Sequence, residues 1–134
     1  MSSKVIERWL NAQYAEKKFH KNDPTLVAKQ GSKHVEFLRS WFGINYDSLK
    51  DKNILEIGSG TRGIIYYIEE VNFRIGVEPM NISNILEAWK KPYALVGIGE
   101  NLPFKDKSFD IVICVNVLDH VIEPMQLFKN VEEF

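Results

Sequence analysis

The 134-residue chain is 45% hydrophobic and 26% charged with a formal net charge of −1, the profile of one soluble globular domain with room for a core. That near-neutral balance gives no electrostatic reason to expect nucleic acid or an anionic membrane as partner. The single cysteine, Cys114, excludes an internal disulfide framework and suits the cytoplasm; the first residues, MSSKVIERWL, read without the long apolar run of a signal peptide, and no apolar stretch approaches the roughly 20 residues of a membrane span.

From Lys4 to His20, the residues Val5, Ile6, Trp9, Leu10 and Phe19 recur at helical spacing, which predicts a first helix ended by Asn22, Asp23 and Pro24. A second helix is expected over 32–42, with Ser32 as N-cap and Gly43 just past its end. Val35, Leu38, Trp41 and Phe42 would form its buried face. These two helices make residues 1–50 a helical lead-in or cap. The period then changes. Strands are predicted at 53–57, 73–77, 93–98 and 109–115, with helices at 61–71, near 82–90 and from about Pro124. The last strand, FDIVICV, is almost wholly apolar and reads as covered on both faces. Strands alternating with helices imply an α/β, doubly wound parallel sheet over 51–134. An order of 3-2-1-4 would leave the apolar fourth strand on an edge, which proteins seldom leave unprotected. The chain therefore reads as cut short after that strand, or as pairing the exposed edge with a like or unlike partner chain.

The chemistry-bearing residues begin at LEIGSGTRGI. Gly58 and Gly60 permit a sharp turn and close approach to a ligand, because neither carries a Cβ. A helix starting at Thr61 would aim amides at that space and favour an anionic group there. The spacing Gly58-x-Gly60-x-x-Gly63 also satisfies the dinucleotide pattern, so an NAD-dependent oxidoreductase is one alternative. Glu78 lies about 20 residues beyond the turn, at the end of the second strand, where a carboxylate accepts ribose hydroxyls.

The third segment, ENLPFKDKSFDIV followed by VNVLDHV, separates the cofactor classes. With LEIGSGTRG and GVEP it resembles class I S-adenosylmethionine-dependent methyltransferases of the ubiquinone- and menaquinone-biosynthesis subgroup, over residues 53–124. The resemblance implies a Rossmann-like domain, with residues 51–134 as its N-terminal portion, and S-adenosylmethionine as cofactor. Glu56 and the backbone of Gly58, Ser59 and Gly60 would face the methionine part, Glu78 the ribose hydroxyls, and Met80 would flank the adenine. Gly99, Glu100 and Asn101 would meet the adenine edge, partly through backbone groups, and Asn116 would line the methionine end. Leu102, Pro103 and Phe104 are expected to pack, and Phe109 and Asp110 to shape the start of the fourth strand. A small-molecule, lipid or sugar acceptor is implied.

The chain departs from the family pattern at two points. Arg62 stands where the family usually has a third glycine, and Ile98 where it favours an acid. Arg62 is expected to point outward from the first helical turn. His120 has a pKa suited to proton transfer, yet histidine in this turn is common across the subgroup whatever the substrate, which favours a role in the turn. His20 and His34 lack partners at metal-ligand spacing, and no group has a convincing metal pattern. Cys114 is expected to be buried and inert. Trp9, Tyr14, Phe19, Trp41 and Phe42 are expected in the core in preference to a substrate pocket. A non-catalytic interaction module keeping the methyltransferase-like half-domain is the reading from another class.

Overall fold

The computed structural model describes residues 3–19, 33, 36, 38–60, 63–79, 94–115, 117 and 121–133. Helix α1 runs over Ser3–Phe19, and α2 is seen at residues 33, 36 and 38–42. Strands β1 (Asn53–Ile57), β2 (Phe73–Glu78), β3 (Ala94–Val96) and β4 (Ile111–Cys114) precede helix α3 (Pro124–Glu133). All strand pairs are parallel, as the alternation of elements implied, and the order is the expected β3-β2-β1-β4. Two connections run one way from β1 and the third jumps back across it. The direction therefore reverses between β1 and β4, where open α/β sheets hold ligands outside the carboxyl ends of their strands.

Period-two alternation sorts the core into two layers. Ile54 and Ile113 face a cluster with Leu38, Leu49, Ile64, Ile65, Tyr66 and Ile68. Leu55, Ile57 and Val77 face the opposite cluster, completed by Phe109, Val117, Val121 and Leu127. Leu127, fully buried, anchors α3 to this second face; burial of such a side chain contributes about 2 kcal/mol. Phe104 meets Phe109 edge-on at 4.9 Å, and Leu102 packs beside them, whereas Pro103 is exposed. Asp110 fixes the start of β4: its amide donates to the Asn53 carbonyl and its carboxylate accepts the Asn53 amide at 2.8 Å. Gly43, at φ +64°, ends α2 as expected, its amide and that of Ile44 folding back onto the carbonyls of Arg39 and Leu38.

Several expectations are corrected. The segment after the glycine turn is not a helix over its described part: Ile64–Tyr66 forms a single 3-10 turn, and no helix follows before β2. Ile64, Ile65, Tyr66 and Ile68 are all buried, a demand that one face of an α-helix cannot meet for three consecutive residues. The Ile65 amide bonds the Glu56 carboxylate, not a carbonyl one helical turn back. The fourth strand is only partly covered, with Ile111 and Val112 half-buried, because β4 pairs with β1 alone among the described residues. For the same reason Cys114 is exposed, not buried. Its apolar neighbours, and then the Glu56 charge, still push the thiol up to about 11, so it stays protonated. Tyr14, Trp41 and Phe42 are exposed as well, and Trp9 only half-buried, because α1 and α2 cover little of the sheet among the described residues. No described helix is long and apolar enough to cross a membrane.

Candidate functional site

The turns after β1 and β3 and the ends of β2 and β4 gather at the carboxyl edge of the sheet. After β1 the chain reverses at Gly58 and Gly60, with φ of +70° and +51°, the left-handed region that glycine enters without strain. Gly58 donates to the Val77 carbonyl at 2.8 Å, and a Cβ there would lie 2.0 Å from Val117 Cγ1. The turn after β1 thus touches the segment after β4, at the point where strand order reverses.

Two buried carboxylates stand beneath this turn. Glu78, ending β2, accepts the Gly60 amide at 2.9 Å. Glu56, in register with Gly76 of β2, accepts the Ile65 amide at 2.8 Å. Burial pushes the Glu56 carboxyl up to about 7, opposed by the amides of Ile65 and Ile64 and assisted by the charge of Glu78. Between the two glycines, Ser59 turns its hydroxyl inward, 2.6 Å from that of Tyr66. Burial raises the Tyr66 phenol far above its usual range, so it remains a neutral hydroxyl.

After β3, Gly97 donates to the Glu78 carbonyl, and Ile98 and Asn101 form an antiparallel bridge. Gly99 is buried because a Cβ would meet Leu127 and Ile57 within 2.7 Å. The Glu100 carboxylate accepts the amides of Ile122 and Glu123 at 2.5 and 3.1 Å, ahead of α3. Asn130 of α3 donates to the Gly99 carbonyl at 3.0 Å and accepts from Gln126. Of the expected site residues, Glu56, Gly58, Ser59, Gly60, Glu78, Gly99, Glu100 and Asn101 share this edge, with the Glu100 side chain used for α3. Met80, Asn116, His120 and Arg62 lie outside the described residues. Tyr66 and Asn130 join the site without a signal in the sequence, where nothing separates Tyr66 from Tyr67 beside it. A cavity lined by Glu70, Val71, Asn72, Phe73 and Arg74 opens at the opposite end of β2. Among the described residues no cluster of three or more His, Cys, Asp or Glu can hold a metal ion.

Residues 55–133, more than half of the chain, match the methyltransferase domain family. The chain belongs to that family. The match takes in both turns of the site. This methyltransferase domain is 28% identical over 94 residues to a tRNA U34 carboxymethyltransferase of Nautilia profundicola, covering 63% of this chain and 31% of that protein. It is 33% identical over 78 residues to an uncharacterized protein of Methanocaldococcus jannaschii, covering 57% of this chain and 33% of the relative. Among solved structures, a SAM-dependent methyltransferase of Thermotoga maritima, described as a possible histamine N-methyltransferase, superposes with a TM-score of 0.54 at 25% identity, over 96% of this chain and 54% of the other. The YcgJ protein of Bacillus subtilis shares the fold, with a TM-score of 0.54 at 21% identity over 71% of this chain and 45% of that one. The domain spans about a third of the length of the curated relatives it matches.

Proposed function

We propose that this chain forms the S-adenosylmethionine-binding portion of a methyltransferase whose acceptor is a small molecule, lipid or sugar. The observation that carries the reading is the direct bond between Glu78 and the Gly60 amide, which couples the acid ending β2 to the glycine turn ending β1. The donor set fits the group: two buried carboxylates, Glu56 and Glu78, suit a ligand bearing cationic ammonium and sulfonium centres and repel a pyrophosphate. A cation beside Glu56 favours its ionised form, opposing the burial that raises its pKa.

When bound, the cofactor supplies a methyl group already activated on sulfur. Glu78 accepts the ribose hydroxyls, the Gly58–Gly60 backbone approaches the methionine part, and the backbone of Gly99 to Asn101 reads the adenine edge. Alignment and exclusion of water are then the protein's main tasks. A base is needed only for an acceptor that must lose a proton, a role for which His120 is the candidate. Calorimetry on this chain with S-adenosylhomocysteine against NAD tests the reading; binding of NAD alone would sink it. Methyl transfer from labelled cofactor in a cell extract, fractionated into small molecules, lipid and RNA, tests the acceptor class, and label in RNA would overturn it.

A second reading follows from β4, which pairs on one side only among the described residues. There the half-domain is a non-catalytic module that adds its β4 edge to another chain. Association that persists while S-adenosylhomocysteine fails to bind is its signature.

A further inference from the structure

We propose that the Ser59–Tyr66 hydroxyl pair, seated over Gly76, is the positioning element that fixes the glycine turn in its ligand-receiving conformation. This inference rests on the cofactor reading above. Gly58 and Gly60 give the turn its shape but also its freedom, since glycine loses more conformational entropy than any other residue on being fixed. Such a turn needs restraints from outside itself. Ser59 carries the side chain between the two glycines, and it is buried with its hydroxyl 2.6 Å from that of Tyr66.

Strand β2 makes room for the pair. A Cβ on Gly76 would lie 2.4 Å from Ser59 Oγ, 2.7 Å from Ser59 Cβ and 3.0 Å from the Tyr66 hydroxyl. The space beside Glu56, its partner in register, is thus filled from above by Ser59 and Tyr66. The turn is pinned at two successive residues: Ser59 by its side chain to Tyr66, Gly60 by its amide to Glu78. Simple filling of volume needs no oxygen on either side chain. A buried hydroxyl without a partner is costly and a paired one is directional, so the pair sets the orientation of Ser59 as well as its depth.

Tyr66→Phe removes one oxygen and keeps the ring, and Ser59→Ala removes the other member. Each single variant of the full chain is expected to bind S-adenosylhomocysteine about five-fold more weakly, and the double variant no more weakly than either. In each, the Gly60 amide should exchange with solvent at least about ten-fold faster, with exchange in the middle of β1 unchanged. A lower melting temperature with unchanged affinity and unchanged exchange at Gly60 would make the pair core packing alone and overturn the proposal. Additive losses in the double variant would overturn it too. If the unaltered chain does not bind S-adenosylhomocysteine, the cofactor reading falls, and exchange at Gly60 alone decides whether the pair fixes the turn.

Discussion

The turns that follow β1 and β3 reach the same edge of the sheet but are held in different ways. The first is fixed from below by side chains of the strands and the 3-10 turn: Glu78 on the Gly60 amide, Tyr66 on Ser59. The second is fixed from α3 and the turn before it, through Asn130 on the Gly99 carbonyl and the amides of Ile122 and Glu123 on Glu100. Buried restraints beneath a turn of glycines give it one conformation at high cost of disruption. Part-buried restraints from a helix edge give one that yields more cheaply, since solvent replaces lost bonds there. The first turn should therefore be brittle and the second compliant.

The largest effect is expected at the brittle turn. Gly58→Ala combines a left-handed φ with a Cβ driven into Val117, and should cost about 3 kcal/mol, or about 10 °C in melting temperature. A loss below about 3 °C would show that the turn repacks, and the contrast would fail. Next is Glu56. Its folded pKa of about 7 against an ordinary 4.5 means that the folded chain binds more protons than the unfolded one between those values. The stability that this group contributes is full below the lower value and is lost as pH rises through the upper one, about 3 kcal/mol in all. Glu56→Gln keeps an oxygen for the Ile65 amide and should abolish that decline, raising the melting temperature at pH 8; an identical pH profile in the variant would contradict the assignment.

Glu78→Ala, which releases the Gly60 amide, should weaken S-adenosylhomocysteine about ten-fold or more, as calorimetry would read. Unchanged affinity would reduce the carboxylate to a structural role. At the compliant turn, Glu100→Ala should cost only about 1 kcal/mol of stability and leave affinity within about three-fold, because backbone groups remain for the adenine edge. Loss of affinity matching that of the Glu78 variant would erase the distinction between the two turns.

Much of this was legible in the chain itself. The five residues of β1 and the start of α3 coincide with their predicted limits, because β-branched residues in a short apolar run and a proline at the first helical position act locally. The parallel pairing followed from the alternation of elements, and the order β3-β2-β1-β4 is the one expected of the Rossmann-like fold. The segment after Gly63 is different, for its apolar run predicts a helix and forms a 3-10 turn. Its residues are apolar because all of them enter the core, and periodicity cannot tell that from one helical face. Trp41 and Phe42 depart from expectation in the other direction, since an apolar residue at helical spacing is buried only if something lies opposite it.

By itself the sequence determined the parallel sheet and the acids and glycines that collect at its carboxyl edge, since these depend on local pattern and on the alternation of strands with helices. The tertiary structure decided which of those groups bear on one another. That Glu78 holds Gly60, that Ser59 finds Tyr66 across Gly76, and that Glu100 serves α3 are matters of register and of the space a missing Cβ leaves. Such contacts join residues 7 to 23 positions apart, and no periodicity along a chain encodes which side chains will meet once its strands are aligned.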